Sequence, residues 1–275
     1  MNVFQLIKTV LDEIYEDLVN DLGSESKADK EVKNKLKYLS EKYIDMPNGV
    51  VIDYTDDATR FAYIFKYVTC HSNLVADSLE SSRCIVKKLD NDVLTASCVG
   101  GGPGSELLGL IKYLQKRSYG GKVQCYLFDR ERSWGESWAD VNNKLGNDLS
   151  ISIFQDQFDV TLPSSWLNKK YFNSDIFFFV FFLSEVGTAN ALPYLKYLIS
   201  NCKKGSIFVY IDNNNPKFFN QIDNFIDSKG LKILEKNEFN QTLDFNEEKK
   251  DLGIYYDKFG SPRLDANRVL RIFRK

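Results

Sequence analysis

Five small residues, Gly100-Gly101-Gly102-Pro103-Gly104, stand between the apolar stretch Leu94 to Val99 and the helical pattern Leu107 to Leu114. Such a bare backbone lets a ligand approach closely, and the helix start behind it offers free N–H groups and a positive dipole end. That combination suits a small polar molecule. Asp129 closes the next apolar stretch, Val123 to Phe128, one strand-helix-strand unit further on. A carboxylate there accepts hydrogen bonds from ribose hydroxyls, so the pair predicts recognition of a sugar.

The order of the glycines narrows the ligand. A dinucleotide fingerprint separates its second and third glycines by two residues so that the helix can hold a pyrophosphate. Here Gly100, Gly102 and Gly104 alternate tightly, with Pro103 before the last. This resembles motif I of the class I S-adenosylmethionine-dependent methyltransferases. The resemblance implies S-adenosylmethionine as cofactor, with Gly100, Gly102 and Gly104 along its methionine part, Asp129 on its ribose and Arg130 beside it. One position departs from the pattern. The family carries an acid two places before the first glycine, where this chain has Cys98, and Glu106 is set too far into the helix to replace it. An ordinary glycine turn between strand and helix, and a nicotinamide enzyme on a related sheet, are the alternatives.

Ligands of open α/β sheets bind beyond the carboxyl ends of the strands. Past the third strand lie Gln155, Asp156 and Gln157, where the family supplies a polar side chain to the adenine, and Asp156 is the expected one. Past the fourth, Phe182-Leu-Ser-Glu-Val186 carries Glu185, the expected base for an acceptor. The Asn/Asp-Pro-Pro-aromatic motif of amino-group DNA methylases and the Pro-Cys nucleophile of cytosine C5 enzymes are both missing from this place. Transfer to an oxygen or nitrogen atom of an unidentified acceptor therefore remains, chemistry ruled by proximity and alignment. Glu185 with Asp212 and Asn213 falls loosely where catechol-type enzymes hold magnesium, but Asp and Asn commonly end strands as turn residues, and no metal is assigned.

The lone histidine, His71, is a second candidate base. Arg60 and Tyr63, one helical turn apart, and Asn73 are candidates for holding substrate. Each has a structural alternative: a buried histidine, or residues that pack one helix on another. Trp134 and Trp138, four apart, are read as core residues, with Trp134 also placed to flank an adenine. Arg263, Arg268, Arg271 and Arg274 would form a basic rim or the solvent face of a strand.

The elements that must position these residues divide the chain. Residues 1–90 form a helical cap that selects substrate. It begins with Phe4, Ile7, Val10, Leu11, Ile14 and Leu18 at helical spacing, continues with a lysine-rich amphipathic segment from Ser26 to Tyr43, and ends in a broken helix from Asp57 to Lys88. Residues 91–275 form the cofactor domain, with strands over Val93 to Val99, Val123 to Phe128, Ser150 to Phe154, Ile176 to Leu183, Ser206 to Ile211, Lys232 to Phe239 and Arg268 to Phe273. Five strands alternate with helices as a doubly wound sheet requires. After a helix from Pro216 to Lys229, the last two make a hairpin around a polar loop from Asn237 to Asp251. The family resemblance implies an α/β Rossmann-like seven-stranded sheet, mostly parallel, with an antiparallel last strand.

Composition sets bounds. The chain has 275 residues, 43% of them hydrophobic, and a formal net charge of -2, so it builds a substantial core and carries no global basic field for nucleic acid. Five cysteines without paired short spacings argue against disulfides and zinc, and predict a cytoplasmic setting, or a nuclear one in a eukaryote. The most apolar run, Ile176 to Leu183, is far too short for a membrane helix. A narrower resemblance rests on Tyr54 to Asn73, the Asp129-Arg-Glu acid motif and Gly260-Ser-Pro-Arg263. It points to a set of class I methyltransferases that includes ribosomal RNA uridine methylases, and makes RNA one candidate acceptor. A catalytically silent partner-binding scaffold on the same fold is the competing function, favoured by Cys98.

Overall fold

The computed structural model describes residues 2–45, 50, 52–145, 149–167, 169–242 and 249–275. Seven strands form one sheet: β1 Val93–Val99, β2 Lys122–Asp129, β3 Ser150–Gln157, β4 Ile176–Val180, β5 Ile207–Asn213, β6 Lys232–Thr242 and β7 Asp265–Arg274, in the order β3-β2-β1-β4-β5-β7-β6. The pairs among β1 to β5 are parallel, and β7 is antiparallel to both β5 and β6. This is the strand order implied by the methyltransferase resemblance. The polar loop read between 237 and 251 lies partly outside the described residues.

Every residue of β4 is buried, because a central parallel strand is covered on both sides. Ile176, Phe178 and Val180 face one hydrophobic cluster, Phe177 and Phe179 the other. Phe177, Phe208 and Phe273 stack across β4, β5 and β7 with ring centroids 5.0 Å apart at each step, a cross-strand ladder that holds the centre of the sheet in register.

Helices α1 (Val3–Leu22), α2 (Glu25–Asp45), α3 (Asp57–Tyr63) and α4 (Thr69–Ser82) share their cluster with α5 (Ser105–Lys116), α6 (Trp134–Lys144) and one face of the sheet. Helices α8 (Thr188–Asn201) and α9 (Pro216–Ser228) cover the other face. The N-terminal helices thus contribute to the same core as the strands. Local signals start several of them. Asn2 caps α1 by accepting from Gln5 N at 3.2 Å, and Asp56 caps α3 by accepting from Thr59 N at 2.7 Å. The third helical stretch runs from α3 through a π-helical turn, Ile64–Val68, into α4, breaks at Arg83 in the left-handed conformation, and closes with a 3-10 turn, Val86–Lys88.

Arg268 and Arg271 correct the solvent-face reading of β7, since both are fully buried. They point to opposite faces. Arg268 meets Asp77 of α4 at 3.2 Å, while Arg271 donates to both carboxylate oxygens of Asp223 on α9 (2.6 and 3.1 Å) and to Glu238 at 3.0 Å. Acids from three other elements, α4, α9 and β6, replace the water that strand alternation alone assigns to them.

Candidate functional site

The glycine loop folds as a left-handed turn at the carboxyl end of β1. Gly100, Gly102 and Gly104 have φ of 69°, 45° and 88°, a region that favours glycine. The N–H groups of Gly100 and Gly101 both donate to Phe128 O, at 2.9 and 3.0 Å, which ties the loop to β2. The N–H of Gly102 donates to Asp129 Oδ2 at 2.9 Å, and Asp129 Oδ1 accepts from Glu131 N at 2.9 Å. Gly100, Gly102, Asp129 and Arg130 line one cavity. Gly104 serves packing instead, because a Cβ there would lie 2.4 Å from Trp138 Cε3.

An aromatic wall closes this cavity. Tyr54 and Tyr63 pack on Trp134 with centroids 4.9 and 5.3 Å away, and all three line it. Trp134 therefore belongs to both the core and the cavity. Arg60 lies outside the lining and holds the wall up. Its guanidinium donates to Tyr54 O at 3.3 Å and Thr55 O at 3.0 Å and pairs with Asp57. Ser133 Oγ donates to Tyr54 O at 3.0 Å from the other side. The enclosed volume is about 240 Å³, slightly under the roughly 300–1,000 Å³ of common ligand pockets.

The end of β4 differs from the sequence expectation and shapes the next part of the site. The strand stops at Val180 instead of Leu183. Phe181 takes a left-handed conformation (φ 55°), and Phe182–Val186 forms a short helix, α7. Asp212, fully buried at the end of β5, accepts from Leu183 N (3.0 Å), Ser184 N (3.2 Å) and Tyr210 Oη (3.0 Å) through Oδ2, and from Asn213 N (2.8 Å) through Oδ1. Asp212 is thus the anchor of this turn, the structural role that strand-end aspartates commonly take.

Four carboxyls from different strand ends and α5 feel one another. Burial raises Glu185 well above the usual carboxylate range, and the charges of Asp129, Asp212 and Glu106 raise it further. Burial likewise pushes Asp129 up to about 6 and Glu106 up to about 8. Glu106 Oε2 is buried with no hydrogen-bond partner among the described residues. Sequence reasoning set Glu106 aside by its distance along the chain, yet the first turn of α5 brings it within reach of Asp129's field. Cys98, at the family's acidic position, is fully buried with its Sγ 3.9 Å from Cys125 Sγ.

Glu185 lines a second cavity of about 510 Å³ as well as the first. His71 lies in the second, its ring 4.6 Å from that of Phe181. Burial, with help from the Arg263 charge, holds His71 down to about 3. It is a neutral imidazole at physiological pH.

Two further expected site residues, like Arg60 and Gly104, line neither cavity. Asn73 is buried on α4 and accepts from Lys112 Nζ of α5 at 2.6 Å. Asp156 is exposed within β3, opposite Phe128. The strand runs three residues further than its apolar pattern, to Gln157, so its end delivers Phe158, Asp159, Val160 and Thr161 to the first cavity. The signal for that later end was the Asp159–Thr161 turn, in which Asp159 Oδ1 accepts from Thr161 N at 2.8 Å.

Among the described residues no group of three or more His, Cys, Asp or Glu is arranged to hold a metal ion, and no helix is long and apolar enough to cross a membrane. None of the five cysteines is in a disulfide.

No family model and no curated protein matches the chain. Solved structures resemble it in fold. A protein from Listeria monocytogenes described as a class I S-adenosylmethionine-dependent methyltransferase shares 13% identity over 99% of this chain and 88% of its own, with a TM-score of 0.49. A ribosomal RNA methylase from Streptococcus thermophilus shares 9% identity over 71% of this chain and 94% of its own, at 0.42. An O-methyltransferase family 2 protein from Planctomyces limnophilus, solved with apigenin, shares 13% identity over 66% of this chain, at 0.44. The chain spans about half (49%) of that last protein's length.

Proposed function

We propose that the chain binds S-adenosylmethionine against the Gly100–Gly104 loop and Asp129 and transfers its methyl group to an oxygen or nitrogen of an acceptor. The observation that carries this reading is the Gly102–Asp129 hydrogen bond of 2.9 Å at the carboxyl ends of β1 and β2, on the wall of a cavity closed by Tyr54, Tyr63 and Trp134. The residues present suit the cofactor. Asp129 offers carboxylate lone pairs to ribose hydroxyls, the aromatic rings suit a flat base, and Gly100 and Gly102 keep the loop free of side chains on the cavity side. The crowded carboxyls favour a ligand with net positive charge, and buried Glu106 Oε2 awaits a partner, in place of the acid that Cys98 does not provide.

When bound, the sulfonium supplies an electrophilic methyl group. The protein's own contribution is to hold the acceptor in line and take its proton. Glu185 lines both cavities, and a cation bound near it would shift it toward the carboxylate form that accepts a proton. His71, neutral and buried, orients groups by hydrogen bonding. The helical region 1–90 gives the aromatic wall its Tyr54 and Tyr63 and the second cavity its Lys66, Tyr67 and His71, which is how it would select substrate.

Isothermal titration calorimetry with S-adenosylhomocysteine tests the reading. The folded chain should bind it and Asp129→Ala should bind at least about tenfold more weakly, the loss of one charge-assisted hydrogen bond pair. A well-folded protein that binds neither this compound nor S-adenosylmethionine excludes the proposal.

A further inference from the structure

Among the described residues, four acids line the first cavity, Asp129, Glu131, Asp159 and Glu185, against one cation, Arg130. Three of these acids are engaged by the loops that carry them. Asp129 holds Gly102 N and Glu131 N, both at 2.9 Å. Glu131 accepts from Ser133 N and Oγ, both at 2.9 Å, and Asp159 accepts from Thr161 N at 2.8 Å and Oγ1 at 2.7 Å. The carboxyl of Glu185, on α7, makes no hydrogen bond or ion pair among the described residues.

That carboxyl stands among aromatic rings. Tyr54, Tyr63 and Trp134 line the cavity with it. Tyr67 and Tyr43 continue the array, with Tyr63 and Tyr67 at 5.3 Å, Tyr43 and Tyr67 at 4.9 Å, and a hydrogen bond of 2.8 Å between the hydroxyls of Tyr43 and Tyr54. Burial raises the hydroxyls of Tyr43, Tyr54, Tyr63 and Tyr67 above their ordinary range, and the Glu185 charge raises each further. All four rings therefore lie in the field of one carboxyl and stay uncharged at physiological pH. Neutral, electron-rich rings beside an unpaired carboxyl are the recognition chemistry of a cage for an organic cation.

We propose that the acceptor is a compact primary amine with an apolar or aromatic body, its ammonium held by Glu185 against the rings of Tyr54, Tyr63 and Trp134. This rests on the methyltransferase reading for the fate of the amine, though binding of the ammonium does not require it. The cofactor reading uses Asp129 and Glu106 and leaves Glu185 for the acceptor. An ammonium has no free electron pair, so Glu185 first takes one of its protons as general base. Burial gives this carboxyl a raised proton affinity, which favours that transfer. The freed nitrogen pair then forms the N–C bond while the methyl–sulfur pair stays on sulfur, and the positive charge passes from sulfur to the methylated nitrogen. The second cavity, which Glu185 also lines, adds Lys66 and Arg263, so the excess of acids that favours a cation belongs to the first. The same excess disfavours an anionic acceptor or the phosphates of RNA.

Calorimetry and ligand-observed NMR on the full chain, with and without S-adenosylhomocysteine, test the assignment with 2-phenylethylamine, neutral 2-phenylethanol and anionic phenylacetate. The amine should bind about tenfold more tightly than the alcohol, and the acid more weakly than either. Glu185→Gln should weaken the amine about tenfold and leave the alcohol unchanged. Tyr63→Leu should weaken the amine about threefold, while Tyr63→Phe, which keeps the ring, should hold wild-type affinity. Retained alcohol binding and melting temperature in Glu185→Gln and Tyr63→Phe serve as the folding control. An amine bound no better than the alcohol, amine binding indifferent to Glu185→Gln, or preferential binding of phenylacetate would overturn the proposal. A wild-type chain that binds S-adenosylhomocysteine but not the amine refutes the amine assignment alone. One that binds the amine through Glu185 but binds neither S-adenosylhomocysteine nor S-adenosylmethionine refutes the methyltransferase reading and leaves the ammonium site standing.

Discussion

Gly102 N–H and Asp129 Oδ2 are joined at 2.9 Å across the gap between β1 and β2. One carboxylate therefore sets the shape of the glycine loop and also faces the cavity that the loop lines. Loss of the side chain removes a loop brace and, on the proposed function, a ribose contact together.

Substituting Asp129 by Asn removes the charge and leaves a single acceptor for the two N–H groups that the carboxylate holds. Burial holds the Asp129 carboxyl at about 6, against roughly 4 in an unfolded chain. Between these values the folded state binds more protons, so stability falls as pH rises through this window and the penalty is complete above it. Relative to wild type, Asp129→Asn should improve by on the order of 1–2 kcal/mol between pH 3.5 and pH 8, read from urea midpoints, on top of a pH-independent loss from the unmatched N–H. Its affinity for S-adenosylhomocysteine should nevertheless fall.

Glu106 links ligand charge to protons. Held at about 8, it is mostly protonated at pH 7, and a bound cation would favour its ionisation. S-adenosylmethionine, with its sulfonium charge, should release more protons on binding at pH 7 than S-adenosylhomocysteine. Calorimetry in two buffers of different ionisation enthalpy measures the difference, and Glu106→Gln should shrink it.

His71 is the chain's single histidine, so its imidazole gives one resolvable pair of NMR signals. With its folded value lowered to about 3, those signals should stay at their neutral positions from pH 8 down to pH 5. The sign for stability follows: the unfolded chain takes up a proton near 6.5 and the folded one does not, so the contribution is full above 6.5 and is lost as pH falls toward 3. A midpoint near 6.5 in the NMR titration would contradict the buried placement.

Gly104 and Gly102 should respond differently to alanine. At Gly104 the added Cβ meets Trp138 at 2.4 Å on a left-handed backbone, while at Gly102 the nearest atom is Trp134 Cε2 at 3.7 Å. Gly104→Ala should lose on the order of 2–4 kcal/mol from combined strain and overlap, Gly102→Ala on the order of 1–2 kcal/mol from backbone strain alone. Denaturant midpoints check the stabilities. Gly102→Ala, facing the cavity, should carry the larger loss of cofactor affinity per unit of stability lost.

The parts legible in the sequence were those governed by local pattern. β1 begins and ends where its apolar run does, at Val93 and Val99, because glycines stop it. β4 was read too long since Phe181, Phe182 and Leu183 stay apolar through a left-handed bend, and the group that holds the bend, Asp212, comes from the next strand. Arg268 and Arg271 were read as solvated because strand alternation says nothing of Asp77 and Asp223, which reach them from α4 and α9. The grouping of Glu106 with Asp129 and Glu185 needed the folded loop for the same reason. Charge placement was the least legible property, since burial and partners arise from tertiary structure.

A π-helical turn holds one residue more than the α-helix around it. Deleting a single residue within Ile64–Val68 would let the turn close to ordinary α-helix, so that α3 and α4 keep their facing while the residues of the turn itself, Lys66 and Tyr67 among them, lose their present directions. A three-nucleotide loss would in this way remodel the wall of the second cavity, which Lys66 and Tyr67 line, and leave Gly100, Gly102 and Asp129 of the first as they are.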